Sequence, residues 1–139
     1  MSAHATLLAA LLVPLTGQAD PPAPRPAVEL HAVERNLVKF TNQQRRRHGR
    51  APLEICPELM RTARRHAAWM TRTRRFRHTW RDPVAENIAR GQRTSRDAVA
   101  AWMNSAGHRA NLLSSSHRRI GVAAYVASDG SVYWCQQFR

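Results

Sequence analysis

Apolar residues recur at helical spacing through the first half of the chain. Over residues 28–47 they fall three or four positions apart and share one helix face. These residues are Leu30, Val33, Leu37 and Phe40. A second helix is predicted over residues 57–72, with Pro57 well suited to the first helical position. Its apolar face consists of Leu59, Ala63, Ala67 and Met70. The pattern predicts two amphipathic helices in succession.

The second half changes from helical to strand-like patterns. Residues 73–83 lack helical periodicity and predict a loop or a short edge strand, and residues 85–90 are interpreted as one helical turn ended by a glycine. Thr94 and Asp97 match a capping pattern in front of a short apolar helix over residues 98–103. Two β-rich runs, 120–126 and 132–138, flank an Asp-Gly turn and predict a hairpin. The fold class predicted is α+β, with helices packed on a small antiparallel sheet.

The first 27 residues are predicted to comprise a signal peptide and a spacer. Residues 6–15 are apolar, and Gly17 and Ala19 fit a cleavage site, so residues 1–19 are predicted to be a signal peptide. The alternative is a disordered apolar N-terminus, because no Lys or Arg precedes the apolar block. Residues 20–27 contain four prolines and predict a spacer. The folded domain is expected over residues 28–139, in a secreted or periplasmic protein. The apolar block is shorter than the roughly 18 residues that a membrane-spanning helix needs.

The two cysteines, Cys56 and Cys135, are expected to form a disulfide if the chain is exported. The alternative is a pair of buried thiols. A metal site on these cysteines is not expected, because no Cys-x-x-Cys spacing accompanies them.

Three polar residues beside predicted turns are candidates for chemistry: His78, Glu86 and His108. Two imidazoles and a carboxylate can bind Zn²⁺ with an open water position, or let the carboxylate act as a general base. The structural alternatives are a loop histidine at 78 and helix or turn caps at 86 and 108. His66 is interpreted as structural. The chain of 139 residues is too short for separate cofactor and substrate domains, and it lacks HExxH, Walker, GxSxG and dinucleotide motifs.

A series of short segments resembles the CAP superfamily (cysteine-rich secretory protein, antigen 5 and pathogenesis-related 1), and most of all the bacterial SCP-domain proteins of the YkwD type. The most specific segment is residues 102–113, with the letters WMNSAGHRANLL. The others are 42–45, 52–53, 59–70, 78–79, 86–89 and 120–122. The resemblance implies an α-β-α sandwich and a central cleft lined by two histidines and two acids.

The resemblance places the two cleft histidines at His78 and His108 and the first acid at Glu86. Zn²⁺ has been placed at the paired histidines in family members, so zinc is the cofactor that the resemblance implies. The second acid of animal and plant members falls near Ser105, where no carboxylate is present. This departure argues against a mechanism that needs four residues.

Positive charge is concentrated in the middle of the chain. The net charge is +13, and residues 45–81 contain 12 arginines but only two glutamates. Six of these arginines are predicted to form a surface for an anionic lipid or cell-envelope polymer or for nucleic acid. They are Arg61, Arg64, Arg65, Arg72, Arg74 and Arg75. The alternative is a solvated face that carries no site.

Three functions follow from these features. The preferred one is a secreted, monomeric binding module whose cleft takes an unidentified small molecule, lipid or peptide and holds Zn²⁺ at His78 and His108. The second is a zinc-dependent, peptidase-like hydrolase with Glu86 as the base. The third is a cationic binder that acts through the six arginines.

Overall fold

Four helices and four strands make up residues 28–139, which are the residues that the computed structural model describes. In chain order they are α1 (Ala32–Arg47), β1 (Glu54–Ile55), α2 (Pro57–Thr73), β2 (Ala85–Arg90), α3 (Ser95–Met103), α4 (Ala106–Leu113), β3 (Arg119–Val126) and β4 (Val132–Phe138). The predicted signal peptide, 1–19, and spacer, 20–27, lie outside the described residues. No helix within 28–139 is long and apolar enough to cross a membrane.

The strands form one sheet in the order β1-β3-β4-β2. The predicted hairpin is confirmed: β3 and β4 pair antiparallel, with Ala123 opposite Cys135. The sheet is antiparallel except at one edge, where β1 pairs parallel to β3. β1 is followed almost at once by α2, and no hairpin turn connects β1 to β3.

The segment interpreted as a helical turn, 85–90, is an edge strand. β2 pairs with β4 over its whole length, from Ala85 opposite Phe138 to Arg90 opposite Tyr133. Alanine, glutamate and arginine favour helices locally. Pairing with a buried neighbouring strand outweighs that preference. The correction matters because a strand turns successive side chains to opposite faces.

Helices cover both faces of the sheet. On one face Ile120, Val122 and Trp134 pack with residues of α1 and α3, such as Leu37 and Trp102. On the other face the strands pack against α2, and the cluster there includes Ala63, Ala67, Met70, Ala123, Tyr133 and Cys135. The α-β-α sandwich implied by the resemblance is thus confirmed.

Buried ionic groups join α1 to its neighbours. Glu34 is 2% exposed and accepts hydrogen bonds from Arg64 of α2, through Nε at 2.7 Å and Nη2 at 2.6 Å. Arg45 is 1% exposed and donates to the carbonyl oxygens of Ala51, Leu112 and Ser114 at 2.7–2.9 Å. Burial is the main cause that lowers the pKa of Arg45. These contacts hold α1 against α2 and against the C-terminal end of α4, where unpaired carbonyls favour a cation.

The expected disulfide is not formed in this structure. Cys56 and Cys135 are both free thiols, and both are buried. Cys56 follows β1, and its N–H donates to Ile120 of β3. Cys135 lies on β4, on the far side of β3. Two strand spacings separate the cysteines by roughly 10 Å, beyond the roughly 7 Å that a disulfide can bridge.

Backbone atoms of α2 and β3 approach each other closely at Gly121. A Cβ at Gly121 of β3 would lie 2.0 Å from the carbonyl carbon of Leu59 and 2.4 Å from the amide nitrogen of Met60. Only a residue without a side chain lets α2 approach β3 this closely. Gly121 therefore sets the distance between α2 and the sheet.

Substitution of Gly121→Ala is expected to lower the free energy of unfolding by at least about 3 kcal/mol, because two main chains must separate. Urea unfolding followed by circular dichroism measures this change. Gly107→Ala is the matched control: nothing lies within 4 Å of its added Cβ and it sits in α4, so the change should stay within about 1 kcal/mol. Equal stability of the two variants would contradict the close approach.

Candidate functional site

The site is organised by two successive residues of the edge strand β2. Glu86 and Asn87 are both buried, and strand geometry directs them to opposite faces of the sheet. Glu86 lies on the α2 face and Asn87 on the face covered by α4. Each side chain binds a segment that carries one of the predicted histidines.

Glu86 anchors the loop between α2 and β2. Its side chain is only 3% exposed. One carboxylate oxygen, Oε1, lies 2.9 Å from Nδ1 of His78 and 2.9 Å from the backbone nitrogen of Thr79. The other, Oε2, accepts from Nε2 of Gln137 at 2.9 Å. Both oxygens are thus engaged by donors that come from different elements.

Two residues that sequence reasoning did not place at the site complete the surroundings of this carboxylate. Nε2 of His66 is 3.7 Å from Oε1 of Glu86 and 2.9 Å from the carbonyl oxygen of Arg77, to which it donates. The Cys135 thiol is 3.7 Å from Oε2. Burial, and then the charge of Glu86, raise the pKa of Cys135, so the thiol stays protonated and unreactive. The sequence contains no signal for a role of His66 at the site, because this residue lies on the buried face of α2 and its position indicates a structural role.

Within residues 28–139, only one ring nitrogen of His78 has a hydrogen-bond partner. Its side chain is 57% exposed, and Nδ1 is the atom held by Glu86. When Nδ1–H donates to the carboxylate, the lone pair of a neutral ring lies on Nε2 and points away from it. A histidine oriented in this way by a carboxylate is typical of metal and ligand sites.

His108 is held by Asn87, the neighbour of Glu86 on β2. Asn87 donates from Nδ2 to the carbonyl oxygen of His108 at 3.0 Å. Asn111 donates from its own Nδ2 to Oδ1 of Asn87 at 3.1 Å and to the carbonyl oxygen of Glu86 at 3.2 Å. Residue 105 is the N-cap of α4, so His108 lies inside the first turn and is not the helix cap. The two asparagines fix α4 against β2.

The two histidines influence each other electrostatically. Burial is the larger cause that lowers the pKa of His108, and the positive charge of His78 lowers it further. His108 is therefore neutral near pH 7 and can offer a lone pair.

A cleft of about 320 Å³ opens beside His108. Phe76, Ile88 and Trp102 contribute apolar walls, and Gln92, Ser105 and His108 contribute polar groups. No acid lines this cleft within the described residues, and Ser105 is one of its polar lining residues. Across residues 28–139 no three or more His, Cys, Asp or Glu side chains are grouped to hold a metal ion.

Half of the six arginines predicted to bind anions are already paired. Arg64 binds Glu34 at 2.6 Å, Arg65 binds Asp82 at 2.7 Å, and Arg74 binds Asp129 at 2.6 Å. The Arg74 hydrogen bond lowers the pKa of Asp129 to about 2. The other three, Arg61, Arg72 and Arg75, are exposed and have no carboxylate partner within residues 28–139. The surface is less cationic than the sequence suggests.

Residues 38–138 match the Cysteine-rich secretory protein family, CAP. This match covers most of the chain and includes every residue that Glu86 and Asn87 bring together. The chain is a member of the CAP family.

Relatives of this CAP domain come from several bacteria. The protein YkwD of Bacillus subtilis (strain 168) is 39% identical over 123 residues, which are 77% of this chain and 47% of YkwD. The CAP domain thus spans about half the length of that relative. An extracellular SCP-domain protein of Bacillus anthracis has a TM-score of 0.64 and 24% identity, over 76% of this chain and 40% of that one. An outer surface protein of Borrelia burgdorferi has a TM-score of 0.68 and 21% identity, over 75% of this chain and 89% of that one.

Replacement of the exposed histidine should change the titration of its partner. In His78→Gln, the pKa of His108 is expected to rise relative to the wild type, because a like charge that disfavours protonation has been removed. Histidine C2–H resonances followed by NMR from pH 4 to 9 measure the shift. His117 is an internal control, since burial and the charge of Arg45 lower its pKa. An unchanged His108 titration would contradict the coupling.

Truncation of the buried carboxylate should destabilise the CAP domain. Glu86→Ala removes the acceptor of three donors, two of them on the loop, and is expected to lower the free energy of unfolding by about 2–4 kcal/mol. Urea unfolding tests this value. Glu54→Ala, at an exposed strand position, should change stability by less than about 0.5 kcal/mol. A comparable small effect at Glu86 would show that its hydrogen bonds are not needed for folding.

Proposed function

We propose that this CAP domain is a secreted ligand-binding module whose site, at the edge of the sheet, combines the cleft beside His108 with the neighbouring His78. One observation carries the proposal: Glu86 is buried, with one oxygen holding His78 and the other accepting from Gln137, while no acid among residues 28–139 lines the cleft beside His108. Such an arrangement favours binding and orientation of a ligand over proton transfer.

The donor set fits a zinc ion held by two imidazoles. Zn²⁺ accepts neutral imidazole nitrogen, and His108 is neutral near pH 7 because its pKa is lowered. Nε2 of His78 is free while its Nδ1 binds Glu86. When bound, Zn²⁺ would supply a Lewis-acidic charge for an anionic or carbonyl group of the ligand. With two protein donors in the described residues, the remaining positions would be left to water or ligand, and we expect exchangeable rather than structural zinc.

The geometry favours this function over a hydrolase with Glu86 as the base. A general base must come within hydrogen-bond reach of the water or substrate whose proton it takes. Glu86 is 3% exposed and accepts from His78, Thr79 and Gln137, so its lone pairs point at the protein. We assign it the role of a positioning residue that acts through His78.

Export is part of the proposal. It is supported by the predicted signal peptide at residues 1–19 and by relatives described as an extracellular protein and an outer surface protein. The cleft is lined by five apolar and four polar residues, Arg90 among the polar ones, and it suits a small molecule of mixed polarity.

Calorimetric titration of the purified chain with Zn²⁺ tests the proposal. One equivalent is expected to bind to the wild type, and His78→Ala and His108→Ala should each lose binding. Glu86→Ala should weaken it about 10- to 100-fold, because the orientation of His78 is lost. His48→Ala, at an exposed histidine outside the cleft, is the control and should bind as the wild type does.

Equal zinc binding by the wild type and both histidine variants would overturn the metal site. Turnover of a peptide or ester substrate that is abolished by Glu86→Gln in a folded protein would overturn the binding role and favour the hydrolase.

A further inference from the structure

A second cavity lies between α2 and the loop that follows it. It has a volume of about 210 Å³ and shares no lining residue with the His108 cleft. Its walls include two indole rings, Trp69 and Trp80, and two arginines, Arg72 and Arg81. We propose that this cavity, the tryptophan pocket, binds a small planar aromatic carboxylate. The inference does not depend on the zinc site.

The apolar part of the tryptophan pocket is aromatic. Trp69 of α2 and Trp80 of the loop meet edge to face, with ring centroids 5.0 Å apart and an interplanar angle of 75°. Trp80 is 55% exposed although it is among the largest apolar side chains in the chain. An exposed tryptophan at the mouth of a cavity is a ready contact surface for a flat apolar ring.

The charged part of the tryptophan pocket favours an anion. Arg72 and Arg81 are exposed, and neither forms an ion pair with a carboxylate of residues 28–139. Arg65, a third lining arginine, is already bound to both oxygens of Asp82, at 2.8 and 2.7 Å. The two unpaired guanidinium groups can bind a carboxylate through paired N–H donors.

The size of the tryptophan pocket suits one ring and one small anionic group. Its volume of about 210 Å³ accommodates an aromatic carboxylate of the size of benzoate.

The walls are held in place before any ligand binds. The Arg77 guanidinium lies 4.3 Å from the ring centroid of Trp80 and 5.3 Å from that of Trp69. His66 stacks on Trp69, with centroids 5.6 Å apart. The loop itself is fixed by the hydrogen bond from Thr79 to Glu86 and by the pairing of Arg65 with Asp82. A preformed pocket spares a ligand the entropy cost of ordering its walls.

Tryptophan indole N–H resonances provide a direct test, because the chain has four tryptophans. Titration with benzoate should shift the signals of Trp69 and Trp80 with a Kd of about 1 mM or below. The signals of Trp102 and Trp134 should stay in place, since their N–H groups donate to backbone carbonyls elsewhere. Benzamide, which is neutral, and cyclohexanecarboxylate, which is not planar, should each bind at least about tenfold more weakly.

Variants locate the binding. Trp80→Ala should weaken benzoate binding at least about tenfold, and Arg72→Gln combined with Arg81→Gln should abolish the preference for benzoate over benzamide. All three positions are exposed, and the dispersion of the amide spectrum verifies the fold of each variant. Phe76→Ala is the matched control, because it removes an exposed aromatic ring from the loop on the side of the other cleft.

The proposal is overturned if benzoate gives no saturable shift, or if benzoate and benzamide bind equally to the wild type. It is also overturned if Trp80→Ala binds as the wild type does, or if Phe76→Ala is the variant that loses binding.

Discussion

The two-residue period of a β-strand is the constraint on which the site depends. Because neighbours on β2 face opposite ways, Glu86 reaches the loop on the α2 face while Asn87 reaches α4 on the other face. His78 and His108, 30 positions apart in the sequence, are thereby held at the same edge of one sheet. A single register shift of β2 against β4 would exchange the two faces and separate the histidines from their anchors.

β2 can position the two histidine-bearing segments because the helices on either side of the sheet are held at fixed distances from it. On one face α2 approaches β3 until backbone meets backbone at Gly121. On the other, Arg45 ties the end of α1 to the C-terminal carbonyls of α4. The ion pair of Glu34 with Arg64 joins α1 to α2. Buried polar contacts of this kind add less net stability than apolar packing but define one arrangement of the elements.

The structure also separates the arginines that form internal contacts from those that are available to a ligand. Several arginines that look equivalent in the sequence have different roles: Arg45 is buried and joins α1 to α4, Arg64 and Arg65 are paired, and Arg72 and Arg81 lie beside two tryptophans with no carboxylate partner among residues 28–139. Net charge alone describes a long-range field. In the proposed tryptophan pocket, the arginines that would bind an anion are those with a cavity beside them, and this surface is smaller and more aromatic than the six-arginine surface predicted from the sequence.

The sequence by itself determined the helices α1 and α2, the capped α3, the closing hairpin and, through its motifs, the family and the candidates His78, Glu86 and His108. These features follow from local periodicity, turn chemistry and short-range spacing. The strand at 85–90, the free cysteines and the buried arginine came from the tertiary structure. So did the contributions of His66 and Gln137 around Glu86. The physical reason is common to all of them: each depends on a partner far along the chain, such as β4 for β2 or α4 for Arg45, and such partners leave no periodic signal in the residues themselves.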